Sequence, residues 1–319
     1  MAAALLVALL VLAALIVFIG NRASESALII RGSRRESAPE GSGPRFASET
    51  GAAIEDATVQ SAEGHSLSGW LFTPPRWNGS AVLLVHGFTD CRATLLEHAR
   101  LFLRHGYAAL AIDNRGHGAS GGMVVTFGVL EAEDVRRWGA WLCDRLGVDR
   151  YFLFGQSMGA AISAMALERD PRIAGAILEA CFTHFERAAL RRLVDRHAFG
   201  WKPAQAAFRL ILNYGYLYGR VKYGVDLRQA HPARVIRETG IPTLLIHGSE
   251  DRMVPPECSR DLHALNPVHT QLWEVQGAAH TASITHAPQE YERRVSAFFT
   301  SLQDGNRESI RAHGSRPAH

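Results

Sequence analysis

Cysteine is scarce in this chain. Cys91, Cys143, Cys181 and Cys258 are widely spaced and form no C-x-x-C or Cys/His pattern at ligand spacing. That argues against a structural zinc site and leaves thiols that should be mostly buried. Also missing is any run of lysines and arginines interleaved with aromatics, and the net charge is only +3. Nucleic acid is therefore not an expected partner. No internal repeat is visible, and no acidic cluster stands out that could hold a free amino terminus. What is present is material for a core: 47 % of the 319 residues are hydrophobic, enough for one large α/β domain or two ordinary ones.

Charge is absent altogether from Ala2 to Gly20. A helix of that length spans roughly 28 Å, close to the hydrocarbon thickness of a bilayer. It shows no polar face of the kind a buried core helix would carry. A signal peptide would want a basic segment before the run and a small-x-small site after it, and neither is found. Residues 1–20 are thus expected to be a single-pass membrane anchor, with a cleaved signal as the alternative. Arg22, Arg31, Arg34 and Arg35 all follow the run. The preference of basic residues for the cytoplasmic side then turns the protein body toward the cytoplasm, with export as the other possibility.

Residues 21–51 are polar and turn-rich and read as a flexible tether, with order expected from Ala52. Ala57–Gln60 and Leu67–Phe72 look like strands joined at Glu63-Gly64. Beyond them, apolar strand runs alternate with helical patterns. Strands are expected at 81–85, 108–112, 150–153, 174–178, 243–246 and 271–275, and helices at 94–105, 130–146, 160–168 and 288–302. Such alternation predicts a mostly parallel sheet covered by helices on both faces, within a domain spanning 52–302. Between about 182 and 235 no strand is convincing, and helix-like pieces carry Phe185, Phe199, Trp201, Phe208, Tyr214, Tyr216, Tyr218 and Tyr223. This stretch should be a helical cap inserted over one edge of the sheet. Most of its aromatics would pack the cap down, and the rest would line an apolar substrate pocket. The polar tail 303–319 is expected to be disordered.

The chemistry begins at Gly155-Gln156-Ser157-Met158-Gly159, a G-x-S-x-G between an apolar strand and a helix. There a serine occupies a strained turn that lifts its oxygen clear, and the glycines let the turn close. A serine hydroxyl needs a base, an acid to orient that base, and donors for the oxyanion that forms. In parallel sheets these groups gather at the C-terminal ends of the strands. Asp251 follows the strand at 243–246 and is the candidate acid, with Glu250 beside it and Glu179 after the strand at 174–178 as competitors. His280 follows the strand at 271–275 among small residues and is the candidate base, with His286 as the alternative. His247 ends a strand beside a turn and reads as structural.

The chain order Ser157, Asp251, His280 resembles that of the α/β-hydrolase family. Val85-His86-Gly87-Phe88 is similar to that family's HG turn, and Asp113–Ser120 to its D-x-R-G-H-G-x-S loop. His247–Pro255 is similar to its HG-x-x-D-x-x-V-P segment, which favours Asp251 over Glu250. The resemblance covers roughly 52–302. It implies an α/β-hydrolase fold and an oxyanion hole formed by the backbone N–H groups of Phe88 and Met158. It also implies that His117 is structural. Relatives that displace halide or open epoxides carry aspartate in place of Ser157 at this strand-to-helix elbow, so acyl transfer is expected here. The reading is a serine esterase with a small-molecule acyl ester substrate and no cofactor or metal. Thioesterase, acyltransferase and peptidase activities are the enzymatic alternatives, and a lipid- or partner-binding scaffold is the non-enzymatic one.

Overall fold

The computed structural model describes residues 37–186 and 202–314, together with 17, 18, 20 and 21. Among them, eight strands form one sheet in the order β1-β2-β4-β3-β5-β6-β7-β8. These are β1 (Ala53–Gln60), β2 (Ser66–Thr73), β3 (Ala81–Val85), β4 (Ala108–Ile112), β5 (Tyr151–Gln156), β6 (Ile173–Glu179), β7 (Thr243–Gly248) and β8 (Thr270–Val275). The first two strands pair antiparallel, as do β2 and β4, and every other pair is parallel.

Parallel strands need long crossovers, and these are helical. In chain order the helices are α1 (Ser42–Thr50), α2 (Leu96–Arg104), α3 (Glu131–Leu146), α4 (Met158–Ala166), α5 (Lys202–Tyr223), α6 (Pro232–Glu238), α7 (Glu257–Leu265), α8 (Ser283–His286) and α9 (Pro288–Gly314). Side chains alternate across each strand. Leu83, Val85 and Leu153 pack with Trp138 of α3, Ile162 of α4 and Leu262 of α7. Val82, Leu84 and Phe154 face the opposite way, onto Phe102 of α2 and Tyr291 and Phe299 of α9. Both faces are covered, which is why these strands are apolar without alternation. The crossovers leaving β3 and β4 take opposite faces, so β3 and β5 flank a point where the winding reverses. A crevice opens there at the C-terminal strand ends.

Beyond shifts of a few residues at strand and helix ends, three boundaries of larger segments differ from the sequence reading. Order begins before Ala52, because α1 buries Phe46 and Ala47 against the sheet; the Phe46 ring stands edge-on to Phe72 at 4.9 Å. Gly51 ends this helix in the left-handed conformation, a C-cap that glycine adopts without strain. The helical insert also ends earlier than 235. Ala233, Val235 and Ile236 of α6 join the core packed on α4, so α6 belongs to the flank of the sheet. Lastly, α9 runs to Gly314, carrying the helix into the polar tail, where Arg307, Glu308 and Arg311 are adequate helix formers. Among the described residues, no helix is long and apolar enough to cross a membrane. The anchor expected at 1–20 lies almost wholly outside the described residues, which include only 17, 18 and 20 of it.

Candidate active site

β5 ends at Gln156 and α4 starts at Met158, so Ser157 alone makes the turn from strand to helix. It does so at φ 57°, ψ −117°, a conformation that costs a non-glycine residue about 1–3 kcal/mol. The turn is tight enough to demand its two glycines. A Cβ on Gly159 would lie 2.1 Å from the Val85 carbonyl oxygen, and one on Gly155 would lie 2.3 Å from that of Gly159. The HG turn closes over the elbow from β3: a Cβ on Gly87 would stand 3.5 Å from that of Ser157. The turn that carries Phe88 therefore lies beside the serine through Gly87, and Met158 follows the serine in sequence. Met158 opens α4, where a backbone N–H has no acceptor within the helix.

The loops leaving β7 and β8 bring the other two groups to this point. His280 Nε2 is 2.9 Å from Ser157 Oγ, and His280 Nδ1 is 2.6 Å from Asp251 Oδ2. An ionised carboxylate only accepts, so Nδ1 carries the proton and the Nε2 lone pair faces the serine hydroxyl. Asp251 is itself held in place. The N–H groups of Met253 and Val254 donate to its Oδ1 at 2.8 and 2.9 Å, which leaves Oδ2 for the imidazole. Burial pushes its carboxyl up, but hydrogen bonds from His247, His280 and the Val254 N–H outweigh that and hold it well below the carboxylate range.

The competitors are elsewhere. Glu250 and His286 are exposed, and the His286 ring lies against Gly277. Glu179 is fully buried and accepts from the Tyr291 hydroxyl at 3.0 Å. His247 is buried behind the acid: its Nε2 donates to the Val254 carbonyl at 2.8 Å, and its Nδ1 accepts from Ser259 Oγ at 2.6 Å. It also stands 3.3 Å from Asp251 Oδ2, a support for the acid that the sequence reading did not include. His86 and His117 brace the two loops beside the elbow. The Asn114 N–H donates to His86 Nε2 and the Thr89 N–H to His117 Nε2, while His117 Nδ1 donates to the Arg115 carbonyl. Burial lowers each of these histidines from 6.5 to about 4, so both are neutral.

Known proteins share this architecture. The family model described as serine aminopeptidase, S33 (Hydrolase_4) matches residues 78–211. YqkD of Bacillus subtilis is 24% identical over 250 residues, which are 77% of this chain and 79% of YqkD. The α/β hydrolase domain-containing protein WAV2 of Arabidopsis thaliana is 26% identical over 215 residues, 66% of either chain. Among solved structures, the esterase Pf2001 of Pyrococcus furiosus superposes with a TM-score of 0.67 at 22% identity, over 86% of this chain and 98% of that one. The chain has the α/β-hydrolase fold. Together these likenesses support a hydrolase of that fold.

In this fold an aromatic path leaves the Ser157 turn toward α5. Phe88 stacks on Phe127 at 5.5 Å, Phe127 meets Phe185 at 4.5 Å, and Phe185 meets Tyr216 of α5 at 6.5 Å. Val225, Leu227 and Ala230 complete that cluster. Among the described residues, no group of three or more His, Cys, Asp or Glu side chains is placed to hold a metal ion. All four cysteines are buried.

Proposed function

We propose that this chain is a serine esterase that cleaves carboxylic esters of apolar acids through an acyl-enzyme. The observation that carries the reading is the pair of contacts from one imidazole, 2.9 Å to Ser157 Oγ and 2.6 Å to Asp251. His280 takes the Ser157 proton as Oγ attacks the ester carbonyl carbon, and Asp251 stabilises the imidazolium that forms. The negative charge on the former carbonyl oxygen is met by the N–H groups of Phe88 and Met158. The tetrahedral adduct collapses as His280 gives its proton to the departing alkoxide. Water then attacks the acyl carbon as His280 takes its proton, and the C–Oγ bond breaks as His280 returns that proton to Ser157 Oγ, releasing the acid.

The aromatic path from Phe88 to Tyr216 supports an apolar acyl group. The uncharged run from Ala2 to Gly20 supports a membrane-tethered enzyme, and Arg22, Arg31, Arg34 and Arg35 after it favour a body that faces the cytoplasm. N-terminal sequencing of the mature protein checks this; a start near Ser24 would end the tether proposal. The description of the matching family makes an amide the second leaving-group class. A panel of p-nitrophenyl esters of graded acyl length, run beside an acyl-CoA and an amino-acid anilide, separates these cases. Turnover of the esters alone is expected. Faster turnover of the anilide would replace the esterase reading with a peptidase one.

A further inference from the structure

His280 sits on a loop, and a loop needs anchoring if its imidazole is to stay within hydrogen-bond reach of a serine on another element. On its N-terminal side the anchors come from the end of β7. The Gly277 N–H donates to Ser249 Oγ at 2.9 Å, and the Glu250 N–H donates to the Ala278 carbonyl at 3.0 Å. On its C-terminal side the next residue, Thr281, is held at φ 54°, a strained conformation that persists only if its surroundings enforce it. Two side chains from the central strands reach this segment. Gln156 Nε2 donates to the Thr281 carbonyl at 3.2 Å, and Glu179 Oε1 accepts from the Ser283 N–H at 3.3 Å.

Those two residues are cross-strand partners at the C-terminal ends of β5 and β6. Gln156 immediately precedes the nucleophile, and the Glu179 carbonyl accepts the Ser157 N–H at 2.8 Å. The same pair thus touches both the serine turn and the histidine loop. Glu179 is further fixed from below by the Tyr291 hydroxyl on Oε2 at 3.0 Å, with His98 Nε2 at 3.7 Å, too far for a full hydrogen bond. Burial pushes the Glu179 carboxyl up, but His98 above all, with the Ser283 and Tyr291 side chains, brings it below its ordinary value. A carboxylate with no solvent exposure is costly for the fold, and an apolar residue of similar volume would often serve stability as well.

We propose that Gln156 and Glu179 form a clamp of two positioning residues that holds the His280 loop in register with Ser157. The inference rests on the serine-hydrolase reading above. It assigns the buried glutamate a role distinct from that of Asp251, since neither clamp residue touches the reacting atoms.

The test measures kcat and KM separately for p-nitrophenyl butyrate, with the thermal midpoint and the rate of fluorophosphonate labelling, on the full chain. Gln156→Leu removes one donor at nearly constant volume and should lower kcat about 10-fold with KM within about twofold. Glu179→Gln keeps an oxygen for the Ser283 N–H and should lose about 3-fold, whereas Glu179→Leu leaves that N–H without its partner and should lose about 100-fold. If Glu179→Leu does not fold, Gln156→Leu and Glu179→Gln decide the matter. Wild-type kcat in Gln156→Leu would overturn the clamp. So would losses that match the unfolded fraction, or equal effects of Gln and Leu at position 179. A wild-type protein that neither turns over esters nor reacts with fluorophosphonate would instead sink the serine-hydrolase reading, and the clamp with it.

Discussion

Two regions beside the elbow are rich in histidine, and they use it in opposite ways. In the loops after β7 and β8, His280 is partly exposed and lies between a carboxylate and a hydroxyl. In the loops after β3 and β4, His86 and His117 are buried, pack edge to face at 5.0 Å and bond only to backbone groups in the contacts described above. A ring between an acid and a hydroxyl can shuttle a proton. A ring whose nitrogens bond to main-chain N–H and C=O groups is a strut, and burial keeps it neutral. The partners of the ring nitrogens separate chemistry from scaffolding, whereas proximity to the serine does not.

The largest effects should fall on the first region. Ser157→Ala or His280→Ala is expected to lower turnover of an ester by about 10⁴–10⁶-fold, and the double variant should be little worse because the two act as a unit. Additive losses would break the assignment of roles. Asp251→Asn should cost about 10⁴-fold by stabilising the wrong tautomer of His280. A loss of less than tenfold would mean that the imidazole is oriented by something else.

The second region should answer to stability instead. The folded-state values of His86 and His117 lie at about 4 against an ordinary 6.5. As pH falls through that interval the unfolded chain takes up protons that the buried rings refuse. The fold loses up to about 3 kcal/mol per ring, and these groups add no further loss below pH 4. Thermal midpoints measured from pH 7 to pH 4 should therefore fall for the wild type, and His117→Asn should flatten the slope. An unchanged slope would contradict buried, neutral rings. Smallest of all, Phe185→Ala should reduce kcat/KM for long acyl chains relative to acetate by about 10-fold. Equal losses across chain lengths would remove the aromatic path from the substrate's route.

The parts of this molecule that were legible in the sequence are those whose signal is local. The runs Ala81–Val85 and Ala108–Ile112 are strands because each is short, apolar and bounded by turns, and the sheet follows from their alternation with helices. The elbow is local too, since Gly155 and Gly159 are dictated by backbone approach to the turn. Asp251 and His280 could be singled out because loops after adjacent strands converge. The choice between Asp251 and Glu179 could not be made from position alone, for both follow strands. What separates them is where the side chains go: Glu179 to Tyr291 and His98, Asp251 to His280. The helix α1 was hidden because one phenylalanine, Phe46, carries most of its burial in an otherwise polar stretch. The flank helix α6 was hidden because Ala233, Val235 and Ile236 would cover a cap as readily as they cover α4.

The central claim is that Ser157 is made nucleophilic by His280. Its most direct test is the site of fluorophosphonate attachment on the intact protein, located by mass spectrometry of its peptides. The account predicts a single adduct on Ser157, absent in Ser157→Ala and formed far more slowly in His280→Ala. An adduct on another residue, or labelling of His280→Ala at the wild-type rate, would contradict it.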